Sequence, residues 1–254
     1  MTTFGNALLT TWTIILVAAS TVAAEQPISL FDGRSLDGWT TQDGEPVTRR
    51  WEVADGLLHL NADRGRPLNI VTDREYGDFQ LEFEWRIEPG GNNGVKYRVR
   101  KFGNRVLGCE YQIIDDDGYQ HPLPAKGTTG ALYDIYEPTE AKWLKPVGEF
   151  NHSRIVVQGN RIEHWLNGQL IVLAYVGSSE WDQRIAASKF AEVEGFGRNP
   201  VGRIMLTDHN SDVWYRRIVL TRFDLPVTCR PVTTCVSRRT GLLRRILHGR
   251  CRRR

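Results

Sequence analysis

The sequence predicts an all-β protein, a sandwich or barrel of many short strands. Three observations lead there. Residues Asp78–Ile87 alternate strictly, with Phe79, Leu81, Phe83, Trp85 and Ile87 on one side and Gln80, Glu82, Glu84 and Arg86 on the other; a period of two over that length marks a half-buried strand. Gly159-Asn160 and Asn167-Gly168 each separate two strand-like runs by two residues, the spacing and chemistry of hairpin turns. Helical periodicity is nearly absent, and one short helix is expected within Glu180–Phe190. A chain of 254 residues suits one large β-domain.

From the N-terminus, residues 1–24 are read as a signal peptide. The apolar stretch Trp12–Ala19 is too short to span a bilayer, and Val22-Ala23-Ala24 supplies the small-residue pattern of a cleavage site. No Lys or Arg precedes that stretch, so an uncleaved N-terminal membrane anchor is the competing reading. Export is expected, to the periplasm or outside the cell. The body runs over 26–224. After Asp78–Ile87, strands are expected at Val95–Arg100 and Cys109–Ile114. Arg154–Gln158, Arg161–Leu166 and Leu170–Tyr175 follow, joined by the two hairpin turns, and Arg203–Leu206 and Val213–Phe223 close the domain. Pro226 and a change of charge mark its end.

The net charge of +3 hides an asymmetry. Residues 225–254 hold nine Arg and no Asp or Glu, which leaves −6 for the rest. A mildly acidic body argues against nucleic acid as its ligand. The Arg-rich tail is expected to be disordered, with anionic lipid, polysaccharide or nucleic acid as the surfaces its charge would suit. Of the four cysteines, Cys229 and Cys235 are close enough in sequence to pair in an oxidising compartment, while Cys109 lies inside a strand-like run and reads as a small buried hydrophobe. No CxxC spacing occurs, which disfavours a cysteine zinc site. Eight Trp, eight Tyr and nine Phe are mostly core, with a few left as platforms for sugar rings.

Six motifs in order carry a family resemblance. They are LFDGRSLDGW at Leu30–Trp39, GGNNGVKY at Gly90–Tyr97, EYQIID at Glu110–Asp115, GALY at Gly130–Tyr133, HWLNG at His164–Gly168, and LTDHN at Leu206–Asn210 with VWYRRI at Val213–Ile218. Together they resemble the 3-keto-disaccharide hydrolase domain family over residues 28–223. The family often has Gln-Asp-His-Gly where this chain has Thr207-Asp208-His209-Asn210. The resemblance implies a single-domain, two-sheet antiparallel jelly-roll sandwich of the concanavalin A-like lectin and glucanase type. It also implies action on small-molecule or oligosaccharide glycosides whose C3 hydroxyl is already a ketone, supplied by an upstream sugar 3-oxidoreductase.

The residues permit that chemistry. In an extended Glu110–Asp115, Glu110, Gln112 and Ile114 share one face, and Tyr111, Ile113 and Asp115 share the other. A retaining glucanase needs two carboxyl groups about 5 Å apart, and the i+4 position from Glu110 is Ile114. A conventional glucanase is therefore disfavoured on this strand, with Glu84 and Asp208 left as partners from neighbouring strands. A 3-keto sugar needs no carboxylate pair. A base takes the acidified C2 proton, the C1 leaving group departs by β-elimination, and water adds later. Glu110 is the leading base or acid, Lys96 the group for the enolate oxygen, and His209, beside Asp208, a base or metal ligand. Gln112, Asn93, Tyr133 and Asp208 are the expected sugar ligands. Adjacent residues of an extended chain point oppositely, so an Asp208–His209 dyad requires a turn, and of His164 and Trp165 one is expected to pack inside. The run Asp115-Asp116-Asp117-Gly118 with His121 reads as an acidic turn, since it lacks the spacing of a calcium loop. The chemistry requires no cofactor, and a divalent metal stays open. A non-catalytic carbohydrate-binding module is the alternative function. Lys96, Glu110 and His209 around one pocket would favour the enzyme; scattered positions would favour the binder.

Overall fold

The alternation read at Asp78–Ile87 is realised as a strand over Phe79–Ile87 in the computed structural model, which describes residues 26–223. It is the sixth of thirteen strands: β1 (Ile28–Ser29), β2 (Trp39–Thr41), β3 (Trp51–Ala54), β4 (Leu57–Leu60), β5 (Ile70–Thr72), β6 (Phe79–Ile87), β7 (Asn92–Phe102), β8 (Arg105–Ile114), β9 (Asn151–Gln158), β10 (Arg161–Leu166), β11 (Gln169–Tyr175), β12 (Arg203–Leu206) and β13 (Val213–Arg222). The expected signal peptide lies outside the described residues. So do the Arg-rich tail and Cys229, Cys235 and Cys251.

The strands form two antiparallel sheets. The larger has the order β11-β10-β9-β6-β13-β4-β3, with β1 also pairing β13; the smaller has the order β2-β5-β12-β7-β8. This is the expected all-β sandwich in a single domain. All five side chains expected to face inward from β6 are buried, from Phe79 to Ile87, and they meet Val95, Tyr97, Tyr111 and Ile113 of the smaller sheet in one core. Each fully buried side chain of this size contributes roughly 1.5–3 kcal/mol, so the sandwich rests on this seam. Cys109 is buried and free among the described residues, and burial pushes its thiol up to about 12.

The expected hairpins are present: β9 and β10 flank Gly159-Asn160, and β10 and β11 flank Asn167-Gly168. The one short helix is present as α1 (Ser179–Ala186), starting one residue earlier than the expected stretch because Ser178 caps its start by accepting from the Trp181 amide, and Trp181 anchors it in the core. Strands β1–β5 were not read from the sequence. They are two to four residues long, too short for alternation to show.

Candidate active site

The site starts with strand pairing. In the β7–β8 ladder, Lys96 lies opposite Glu110, Gly94 opposite Gln112 and Asn92 opposite Ile114. Alternation sends Tyr111 and Ile113 into the core, so Glu110 and Gln112 lie on the outer face of the smaller sheet, as expected. Lys96 Nζ is 3.5 Å from Glu110 Oε2. The Glu110 side chain folds over Gly94, where a Cβ would overlap Oε1. The absent side chain at 94 is thus a geometric condition for the carboxylate's position.

Three segments surround this carboxylate. Residues 130–133 run along the free edge of β8: Gly130 N donates to Gln112 O at 2.8 Å, Tyr133 N to Glu110 O at 3.0 Å, and Gln112 N to Ala131 O at 3.2 Å. That pairing brings Tyr133 beside Glu110. Below it, buried His164 shares a short contact with Tyr97 Oη at 2.9 Å and another with Gly130 O at 2.9 Å. Burial pushes the His164 ring down to about 4, so it packs as a neutral brace, while Trp165 faces outward under Arg154. The second segment follows α1. Asp134 accepts from the Lys189 amide at 2.7 Å and pairs with Lys126 at 2.7 Å. Lys189 Nζ then lies 4.0 Å from the centre of the Tyr133 ring. The third segment carries His209, whose Nε2 is 4.0 Å from Glu110 Oε1, too long for a hydrogen bond.

The loop bearing His209 is fixed from behind. Arg50, buried and with a positive φ of 66°, pairs with Asp208 Oδ2 at 2.8 Å and donates to Asn210 Oδ1 at 2.8 Å and to Ala62 O. Asp208 also accepts from the Leu68 and Asn210 amides at 2.8 and 2.9 Å. Burial opposes the Asp208 charge, but Arg50 and these amides outweigh it and hold the carboxyl below its ordinary value. The two residues on either side of His209 are therefore tied down, and the imidazole projects the other way with its side chain 43% exposed.

Glu110 is only 5% exposed. Burial alone would raise its carboxyl; His209, Lys96 and Lys189 together hold it below the usual value. Among the described residues its Oε1 has no hydrogen-bond partner. A buried carboxylate oxygen left unpaired costs free energy. Burial, then Glu110 and Asp134, push Tyr133 upward, so its phenol keeps its proton at neutral pH. Beside the cluster opens a cleft of about 120 Å³, lined by Asn92, Gln112, Ile114, Tyr119, Lys126 and Tyr133 among others.

Lys96, Glu110, Gln112, Tyr133 and His209 are thus brought together. Asn93 and Asp208, expected as sugar ligands, are not. Asn93 is fully buried; its amide donates to Thr207 O at 2.5 Å, and its oxygen accepts from Tyr215 Oη at 2.6 Å and from the Gly94 amide at 2.8 Å. The outward residue is its neighbour Asn92, which accepts from Gln112 Nε2 at 3.2 Å. Asp208 is spent on Arg50, and no Asp208–His209 dyad forms. Lys189 and Asn92 are the residues the sequence reading missed. A second carboxylate for glucanase chemistry does not reach Glu110 either: Glu84 is on the other sheet, held by Arg216 at 2.6 Å and Arg217 at 2.8 Å. The run at 115–117 is an acidic turn. Asp115 accepts from the Gly90 and Gly118 amides, and Asp116 accepts from the Thr129 amide and pairs with Lys142 at 2.6 Å. Among the described residues no three His, Cys, Asp or Glu side chains converge as a metal cage would.

Comparisons with known proteins agree with this architecture. The family model described as the 3-keto-alpha-glucoside-1,2-lyase-like domain matches residues 26–221. A protein of Bacteroides thetaiotaomicron named 3-keto-disaccharide hydrolase is 28% identical over 228 residues, 78% of each chain. Among solved structures, a candidate glycosyl hydrolase from Parabacteroides distasonis superposes with a TM-score of 0.72 at 30% identity, over 78% of this chain and 94% of that one. A second from the same organism gives a TM-score of 0.58 at 23% identity, over 77% of this chain and 98% of that one, which speaks to the fold.

Proposed function

The chain belongs to the 3-keto-alpha-glucoside-1,2-lyase-like domain family, and on that premise we propose that it cleaves 3-keto-glycosides, 3-keto-disaccharides included, by β-elimination across C1 and C2 followed by hydration. The observation that carries this reading is the Glu110 carboxylate: buried, held ionised by His209, Lys96 and Lys189 around it, with one oxygen that has no hydrogen-bond partner among the described residues. Such a group is built to meet something the protein does not supply.

In the proposed reaction, the ketone at C3 acidifies the C2 proton and Glu110 removes it. Lys96, 3.5 Å from the same carboxylate, stabilises the negative charge that develops on the C3 oxygen. The C1–O bond then breaks as the C1=C2 double bond forms, and the departing oxygen takes a proton from His209 or from the Tyr133 phenol. Water adding at C1 and a proton returning to C2 complete a net hydrolysis. Gln112 and Asn92 are the hydroxyl ligands that orient the ring. The substrate class requires an earlier oxidation of a sugar at C3, the work of an upstream oxidoreductase.

The test is turnover of a 3-keto-glucoside bearing a chromogenic leaving group, beside its unoxidised parent, by the wild type and Glu110→Gln. Cleavage of the keto form alone, reduced about 10²–10⁴-fold in the variant, is the expected result. Cleavage of the unoxidised parent would point to a conventional glycosidase. Binding of sugar without turnover of either would make the protein a carbohydrate-binding module.

A further inference from the structure

We propose that Lys189 is a catalytic residue that condenses with the substrate's 3-keto group to form a transient iminium; this deepens the reading above and rests on it. Four observations converge. The ammonium of Lys189 has no carboxylate within ion-pair distance among the described residues, and the contacts of its Nζ are the rings of Tyr133 at 4.0 Å and Phe190 at 5.2 Å. Its backbone is pinned by Asp134, which Lys126 holds in turn, so its reach is toward Tyr133 and Glu110. It shares the site with a second lysine, and Lys96 has Glu110 as its ion partner while Lys189 does not. Burial first, and then Lys96 and Arg105 against the partial support of Glu110 and Asp134, lower its pKa from the ordinary lysine value. The Lys189 side chain is exposed as a whole, which leaves it open to a substrate, and its ammonium lies against the Tyr133 ring near a second lysine, a setting in which a neighbouring cation favours the free amine for attack on a carbonyl.

The step balances without any co-reactant. The Lys189 ammonium first gives a proton to solvent, and the freed Nζ lone pair adds to C3 as the C=O bond opens to a carbinolamine. That oxygen leaves as water, taking protons from nitrogen and from the Tyr133 phenol, and a C=N⁺ bond remains. Glu110 takes the C2 proton, and the C–H pair becomes C2=C3 of an enamine. The enamine pushes its electrons into C1=C2 as the C1–O bond breaks, and the leaving oxygen is protonated. Water hydrolyses C=N⁺, returning the ketone and the free amine. The C3 oxygen has left before the C2 proton does, so in this route the iminium replaces Lys96 as the electron sink, and as a stronger sink than a ketone it offsets the weakness of a carboxylate base held below its usual pKa.

The experiment incubates the full chain with a 3-keto-glucoside and sodium cyanoborohydride, which reduces iminium ions in preference to ketones, and locates adducts by peptide mass spectrometry. A sugar-sized adduct on Lys189, formed with loss of activity, is expected. In Glu110→Gln the adduct should still form and should retain its aglycone, because condensation precedes proton removal. Lys189→Arg keeps the charge and the ring contact but forms no imine; kcat should fall about a hundredfold or more with the thermal midpoint unchanged. A wild type that turns over the keto substrate with no adduct at Lys189, or Lys189→Arg within about tenfold of wild type, overturns the iminium and leaves the proposed function standing. A wild type that does not cleave the keto substrate overturns both.

Discussion

The two outward sheet faces each bury a glutamate among cations, and they treat it differently. On the larger sheet, Glu84 uses both carboxylate oxygens, one on Arg216 and one on Arg217. The aromatic rings around it are covered too: Arg86 lies over Trp214 and Phe150, and His59 stacks on Trp214 at 4.7 Å. On the smaller sheet, Glu110 is more deeply buried, yet it has Lys96 at 3.5 Å, His209 at 4.0 Å, and an oxygen with no hydrogen-bond partner among the described residues. A recess of about 680 Å³ lies beside Glu84, larger than the cleft near Glu110. Its central glutamate is already paired through both oxygens, so size does not make it the site. A ligand is called for where the protein leaves its own polar groups incomplete.

The largest expected effect breaks that comparison directly. Glu110→Gln removes the anion around which Lys96, Lys189 and His209 gather, and turnover of a keto substrate should fall about 10²–10⁴-fold, whereas Glu84→Gln should leave kcat unchanged. Next come the buried supports. Asp208→Ala leaves Arg50 buried and unpaired, which should cost about 3–5 kcal/mol in urea denaturation. The milder Arg50→Lys loses the two-pronged grip and should lower kcat more than it raises KM, because His209 is displaced rather than removed. Third, pH separates Glu110 from an ordinary carboxyl. Its pKa is lowered by His209, Lys96 and Lys189 against the effect of burial, so the reactive anion persists as pH falls and is lost only on passing through a folded-state value below that of an ordinary glutamate. In Lys96→Met one of those cations is gone, and the acid limb of kcat/KM should move to higher pH. The smallest effect sharpens the contrast from the other side: Glu84→Gln should destabilise the fold by under about 1 kcal/mol, as partly exposed ion pairs do.

Much of the site was legible because a strand imposes parity. Glu110 and Gln112 were placed on the correct face by counting from Tyr111. The same count, applied upstream, would have corrected one error: Lys96 and Asn93 cannot share a face of β7, and it is Asn92 and Gly94 that accompany Lys96. His209 and Asp208 diverge on a loop, where Arg50 and the Leu68 and Asn210 amides hold the Asp208 carboxylate behind it. Lys189 carried no such signal. It comes from the chain after α1, and its position depends on a hydrogen bond to Asp134, 55 residues earlier. Nor did periodicity reveal β1–β5, whose short runs gain their order by pairing with distant strands such as β12 and β13.

The segment at 130–133 has one more consequence. β8 is the last strand of its sheet, and an unprotected last strand is a template on which a second chain can pair and aggregate. The amides of Gly130 and Tyr133 already occupy the carbonyls of Gln112 and Glu110. The wall that sets Tyr133 against the carboxylate therefore also closes the sheet against strand-by-strand self-association, and loosening it would risk aggregation as well as activity.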